Sequence, residues 1–448
     1  MATSSSSGPN SQPAGGDPCH HGSHRGLLSA AALAPPGQRD LDAIIVPTAR
    51  RPAYLFHAAE LARALNCTLV TLHSGKWTSA QKAAQCLPTG LSLIAIDVPA
   101  PAQLNLPAWQ TSRLLAGTVF ERRSDLSAKR NMALMLSAMM GWRRIMFLDD
   151  DITGLPAGDV RTAAGLLDSH HAVGFRIGGF PDHSVVCHAY RDAGGSQQSF
   201  IGGGALAVNV GLSRSFFPDI YNDDWFFLLD DAGLRPTACS GQAIQYPYEP
   251  FRTPERARNE ELGDVLAEGI YWLLDQGRGV ADADARHWAR FLVRRRQFIQ
   301  RVLAMVRQDD QLASGEQARR IAALKGSLGR LALITPGLCE SYLRAWEADR
   351  RSWDAHLAAH GARRKRFPAL LALAGPDSPR LTWRIGSHGD RQPPLIARAR
   401  FTHGQPGLLT GVAPASRQRE SAASLARRDL AGVASGSAGR AGRPGPPS

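Results

Sequence analysis

Three consecutive carboxylates, Asp149-Asp150-Asp151, follow the run Arg144-Ile145-Met146-Phe147-Leu148. The run reads as a buried strand, and the acids fall where that strand would emerge. Carboxylates at adjacent and alternate positions repel one another, so a group of three at this place calls for a positive partner. A hard divalent cation, Mn²⁺ or Mg²⁺, suits it, because such ions take oxygen ligands and often bridge to substrate phosphates. A solvated acidic turn is the plain alternative. A second acidic pair stands in Tyr221-Asn222-Asp223-Asp224-Trp225-Phe226-Phe227. One of its carboxylates could serve as a general base, and Trp225 could stack on a flat or ring-shaped substrate. Helix N-terminal charge would explain the same pair. Gly202-Gly203-Gly204, set between Phe200-Ile201 and Ala205-Leu206, marks a bulge or the close approach of a ligand to the backbone. Lys129-Arg130-Asn131 offers cations to a diphosphate, or simply a basic face on an exposed helix.

These groups need a frame, and the chain supplies one from Asp42 onward. Asp42 to Thr48, Thr68 to Leu72 and Leu91 to Asp97 read as strands, with helical spacing over Ala53 to Leu65. A further helix is expected from about Asp125 to Met140, with Ser124 as its N-cap, feeding the strand before the aspartates. Strands alternating with helices imply a parallel sheet covered on both faces, with ligands at the carboxyl ends of its strands. Thr48, Ser74, Asp97 and Asp149 to Asp151 all fall at those ends. Beyond the aspartates, Val173 to Ile177, Val185 to Tyr190 and Ala205 to Val210 read as short strands. From Pro254 to about His360 the chain reads as helical, including a stretch that mixes Trp288, Phe291, Phe298 and Val302 with Arg294, Arg295, Arg296 and Arg301, most simply a helix packed on the main domain, with peripheral contact to an anionic membrane as the alternative.

In this order, Ile44-Ile45-Val46-Pro47-Thr48, Lys129-Arg130-Asn131, Phe147-Leu148-Asp149-Asp150-Asp151, the triple glycine and Asn222-Asp223-Asp224-Trp225 resemble nucleotide-sugar-dependent glycosyltransferases of the GT-A fold, family 2-like. The resemblance covers roughly residues 42 to 250. It implies an α/β fold, a GT-A (Rossmann-like) mixed sheet flanked by helices. It also implies a nucleotide-sugar donor, a hydroxyl acceptor, transfer of a hexosyl-like group, and Mn²⁺ or Mg²⁺ as cofactor. Carried over by position, Asp149 and Asp151 form the Asp-x-Asp metal pair, with Asp149 also nearer the donor ribose. Thr48 and Asp97 contact the nucleoside, Arg130 the diphosphate, and Gly203 and Gly204 admit the donor sugar. Asp224 becomes the base that takes the acceptor proton, Asp223 stands where the family usually has Glu, and Trp225 faces the acceptor. Related enzymes often complete the metal shell with a His after the last core strand. Gln245-Tyr246-Pro247-Tyr248-Glu249 has none, so either the third protein ligand is absent or Glu249 supplies it.

Four regions are expected: a disordered leader over 1–38, a catalytic domain over 39–250, a helical C-terminal region over 251–375 and a basic disordered tail over 376–448. The formal charge is +13, and from Asp377 onward there are eleven Arg, no Lys and four acids. Most of the excess therefore lies in a Gly-, Pro- and Ser-rich tail, which suits a solvated extension or peripheral contact with an anionic membrane more than specific nucleic-acid binding. His20, His21 and His24 beside Cys19 have metal-binding chemistry, but in a polar leader they read as adventitious. Six scattered cysteines, no secretory signal and no apolar stretch of about eighteen residues point to a cytoplasmic protein. Three other readings compete. A nucleotidyltransferase would share the Rossmann-like half and the acidic metal site, but Pro47-Thr48-Ala49-Arg50-Arg51-Pro52 has the basic residues without the glycines of its usual loop. Asp149 and Asp151 with Thr153 also fit the Asp-x-Asp-x-Thr pattern of haloacid-dehalogenase-like phosphatases. The charge alone would fit a basic nucleic-acid-binding protein without catalysis.

Overall fold

Largely apolar, almost wholly buried runs form β1 (Ala43–Thr48), β2 (Thr68–His73), β3 (Leu93–Asp97) and β4 (Arg144–Leu148). They pair in parallel in the order β3-β2-β1-β4. The computed structural model describes residues 17–29, 37–180, 183–375 and 382–386, and the backbone of 395–398. Between these strands run α1 (Phe56–Leu65), α2 (Ala80–Cys86), α3 (Gln110–Leu115) and α4 (Leu126–Met140). The chain continues through β5 (Ile152–Thr153), α5 (Ala157–Leu166), β6 (Ala172–Gly179), α6 (Val185–Asp192), β7 (Ala205–Asn209), α7 (Asp223–Phe227) and β8 (Thr237–Gln245). Helices α8 (Pro254–Asp275), α9 (Ala285–Gln308), α10 (Ser314–Leu331), α11 (Pro336–His360) and α12 (Arg366–Ala372) follow, then β9 (Thr382–Gly386) and β10 (Leu395–Arg398).

All ten strands join one mixed sheet, ordered β10-β9-β3-β2-β1-β4-β7-β6-β8-β5. Successive residues of its central strands serve different cores, as strand geometry requires. Ile44, Val46, Leu69 and Met146 pack with α1, α2 and α5. Ile45, Val70, Ile94 and Phe147 pack with α4 and the C-terminal helices, where Trp288, Trp346 and Trp353 are fully buried. The α/β mixed sheet flanked by helices, with a helical C-terminal extension, is the architecture expected.

Three expectations need correction. Val185 to Tyr190 is helical, not a strand: Ser184 caps α6 by accepting from the Cys187 N–H, and Val185, Val186, Ala189 and Tyr190 are buried. Residues 17–29, expected to be part of a disordered leader, pack on the body with His20 and His24 buried. Thr382–Gly386, expected within the tail, is β9, which pairs antiparallel with β3 and buries Trp383. The remainder of the leader and tail lies outside the described residues. Within the basic helix α9, Arg295 is buried and bound to Glu261 at 2.9 Å, Asp264 at 2.7 Å and Glu268 at 2.9 Å, all on α8. Among the described residues, no helix is long and apolar enough to cross a membrane.

Candidate active site

Strand register sets the first half of the site. Thr48 lies opposite His73, and His73 opposite Asp97, so the ends of β1, β2 and β3 share one edge with the end of β4. There the Thr48 hydroxyl donates to Asp150 Oδ2 at 2.6 Å. Arg50, in the loop after β1, lies 3.1 Å from both Asp150 and Asp151. Lys129 Nζ reaches across from α4 to the Thr48 carbonyl at 3.1 Å and to Ser74 Oγ at 2.6 Å. Asp97 accepts from the Ala80 N–H at 2.6 Å and so caps α2 as well as closing β3.

The second half is built around Arg130, one turn into α4. Its Nη1 donates to Asp223 at 2.8 Å, its Nη2 lies 3.4 Å from Asp149, and its guanidinium packs on the Phe217 ring. One buried cation thus joins two acidic groups more than seventy residues apart in sequence. Neighbours on α4 secure the arrangement: Asn131 exchanges two 2.8 Å hydrogen bonds with the Phe217 backbone, and Ser127 Oγ donates to Asp223 at 3.0 Å. Asp224 Oδ2 accepts from the Gly203 N–H at 2.6 Å. The glycines are required by proximity. A Cβ on Gly203 would come within 2.9 Å of the Arg130 guanidinium, and one on Gly204 within 3.3 Å of Asp149 Oδ2. Trp225 packs against Phe200 and Tyr271 and, with Asp224, Tyr221 and Gly202, lines a cleft. His20 and His24 of the N-terminal segment form its other wall.

Burial governs the electrostatics. Desolvation raises the Asp149 pKa to about 6; Arg130 opposes the rise, and the charges of Asp151, Asp150 and Asp223 add to it. Asp224 is also raised to about 6, by burial and then by Asp223, with Arg130 and the Gly203 and Trp225 N–H groups opposing. Asp150 is raised for the same leading reason. Five carboxylates (Asp149, Asp150, Asp151, Asp223 and Asp224) thus share Arg50, Lys129 and Arg130, and the surplus is negative. Oxygen-rich and short of positive charge, the end of β4 fits a hard divalent cation. Asp149 and Asp151 would hold it. Arg50, with a side chain 43% exposed, is the cation with room to turn aside.

The fold therefore gathers Thr48, Arg130, Asp149, Asp151, Gly203, Gly204, Asp223, Asp224 and Trp225 around the ends of β1 and β4. Asp97 stands two strands away from β1. Asp223 and Asp224 do open a helix, α7, as helix-terminal charge would, and they meet Arg130 and Gly203 as well. Lys129, Arg130 and Asn131 are buried, so the exposed basic face is excluded. Glu249 is solvent-exposed and paired with Arg252 at 3.7 Å. Sequence reasoning missed Arg50 and Ser127 as partners of the aspartates; position two residues after the β1 end was the one signal for Arg50. The phosphatase pattern expects its first Asp after the first core strand. Here it follows the fourth, and Thr153 belongs to β5, paired with β8 at the sheet edge.

No protein-family model matches the chain, and no curated protein matches it. Among solved structures, the chain is similar to a mannosyltransferase from Pyrobaculum calidifontis in complex with GDP-Man and Mn²⁺. Identity is 15% over 75% of this chain and 91% of that one, with a TM-score of 0.37. It is also similar to a protein from Desulfovibrio desulfuricans G20 assigned as a nucleotide-diphospho-sugar transferase. There the identity is 10% over 60% of this chain and 98% of that one, with a TM-score of 0.24. Likeness at this level decides nothing about the reaction, which has to be read from the site.

Proposed function

We propose that the chain is a metal-dependent glycosyltransferase that moves a hexosyl-like group from a nucleotide-diphosphate sugar to a hydroxyl acceptor. The observation that carries the reading is the Arg130 bridge, 2.8 Å to Asp223 and 3.4 Å to Asp149, which sets a metal-type acidic group beside a base-type acidic pair. Asp149 and Asp151 would hold Mn²⁺ or Mg²⁺, whose chemistry is to stabilise the departing diphosphate as a Lewis acid. Thr48 and Asp97 would bind the nucleoside at the strand ends. Arg50 would offer positive charge to the diphosphate, while the buried Lys129, held by Asp125, Ser74 and the Thr48 carbonyl, would steady the end of β1. Arg130, committed to carboxylates and buried, would orient Asp149 and Asp223 and act on the diphosphate through them. Gly203 and Gly204 would leave room for the donor sugar. Asp224 would accept the acceptor proton, its pKa of about 6 keeping it mostly ionised at neutral pH yet basic enough to work. Trp225 would receive the acceptor in the adjoining cleft.

Thermal unfolding across UDP, GDP, ADP and dTDP, each with and without Mn²⁺, tests the reading. Stabilisation that requires nucleotide and metal together, and disappears in Asp151→Ala, is the expected result. Absence of any nucleotide-dependent shift would count against a nucleotide-sugar donor.

A further inference from the structure

The N-terminal segment carries a second group of converging ligand atoms, away from the aspartates. His21 Nε2 lies 3.2 Å from Asp275 Oδ2, and His24 Nδ1 contacts the same oxygen. All three ligand atoms lie within 4.8 Å of one another, the only such His/Cys/Asp/Glu group of three or more among the described residues. We propose that His21, His24 and Asp275 form a metal site of the zinc type that clamps residues 17–29 onto the end of α8.

Several independent features support it. Tetrahedral Zn²⁺ with bonds of about 2.0–2.1 Å places its ligands roughly 3.3 Å apart, close to the His21–Asp275 separation. Two imidazoles and a carboxylate are a borderline donor set, unlike the all-oxygen aspartate group. Asp275 is the last residue of α8, where a carboxylate faces the negative end of the helix dipole and gains from a nearby cation. His24 holds φ at 55°, a conformation that a side chain other than glycine's resists, and this turn brings both rings to one carboxylate. The rings stack with centroids 4.6 Å apart. His21 Nδ1 now accepts from the His24 N–H at 3.1 Å, so its proton sits on Nε2. Coordination through Nε2 would move that proton to Nδ1, and the His24 N–H would turn to another acceptor. His21 is 32% exposed, which leaves a side open for water as the fourth ligand. His24 also packs edge-to-face on Trp225, with ring centroids 5.5 Å apart. If Trp225 receives the acceptor, the ion would fix one wall of that cleft; the ion site itself is independent of the reaction catalysed.

The test uses the untagged full chain, stripped with a chelator and titrated with Zn²⁺ by calorimetry, with Co²⁺ as a spectroscopic probe. The expected result is one site at or below about 1 µM, tetrahedral d–d bands with Co²⁺, and slower tryptic cleavage at Arg25 when the ion is bound. His21→Ala and Asp275→Asn should each weaken that site at least a hundredfold, while Asp151→Ala leaves it unchanged. His21 is partly exposed, and its variant is checked for an unaltered melting temperature without metal. Wild-type chain that binds no Zn²⁺ at micromolar concentration, or His21→Ala that binds it as wild type does, would overturn the proposal.

Discussion

Arg130→Met is the most informative perturbation of the site. Methionine keeps an unbranched apolar stem beside Phe217 but removes the charge that lies 2.8 Å from Asp223 and 3.4 Å from Asp149. Arg130 is 3% exposed and Asp223 6%, so water cannot take over the role. Breaking a buried pair by removing one partner costs about 3–5 kcal/mol, because the other charge stays buried and uncompensated. The cost should depend on pH, and its sign can be worked out. The Asp149 pKa already stands at about 6, held down only by Arg130 against burial and three like charges. Without Arg130 it rises further above its unfolded value. A carboxyl raised in this way burdens the fold where it is ionised, and the burden is lifted as pH falls through the raised pKa. Urea unfolding should therefore show a deficit of about 3–5 kcal/mol at pH 8. At pH 5.5 the deficit should be smaller by at least about 1 kcal/mol, the equivalent of less than one pKa unit. Adding Asp223→Asn to Arg130→Met should recover part of the loss. A cost below about 1 kcal/mol at pH 8, or the same cost at both pH values, would refute the view of Arg130 as the charge on which both acidic groups depend.

Three further outcomes are expected. Asp151→Ala should abolish transfer while its melting temperature stays within about 2 °C of wild type, since the loss of its pairing with the half-exposed Arg50 is offset by relief of its repulsion on Asp149; an active variant would remove Asp151 from the metal pair. Asp224→Asn should lower kcat more than it weakens nucleotide binding, and the wild-type rate should fall as pH drops below about 6, where Asp224 takes up a proton. A rate flat down to pH 5 would exclude Asp224 as the base. Trp383→Ala should cost about 3–5 kcal/mol in urea unfolding and speed hydrogen exchange in Leu93–Asp97; unchanged exchange there would mean that β9 does not protect β3.

Strands β1 to β4 were legible because each is a largely apolar run, the signature of burial on both faces. The carboxylates were legible because unpaired charge after such a run demands an explanation. Their partners were not. Which cation meets which acid depends on the order β2-β1-β4, which brings Arg50 beside Asp150 and Lys129 beside Thr48. Val185 to Tyr190 misled because two β-branched residues open a helix whose stability comes from docking on its neighbours, not from propensity. The N-terminal segment and β9 looked like solvated chain because their composition is polar. Their order comes from partners elsewhere: His20 stacks on Phe298 and Trp383 is buried beside β3.

The seating of β9 against β3 has a consequence for biosynthesis. Without Thr382–Gly386, β3 is an open edge of the parallel sheet, with backbone donors and acceptors free to pair with another chain. Its covering strand is made nearly three hundred residues later. At about 5–20 residues per second, the edge waits roughly 15–60 s on the ribosome before its partner exists. Nascent chains stalled before β9 should be the ones that aggregate or engage chaperones, and a ribosome pausing over α11 or α12 would lengthen that interval.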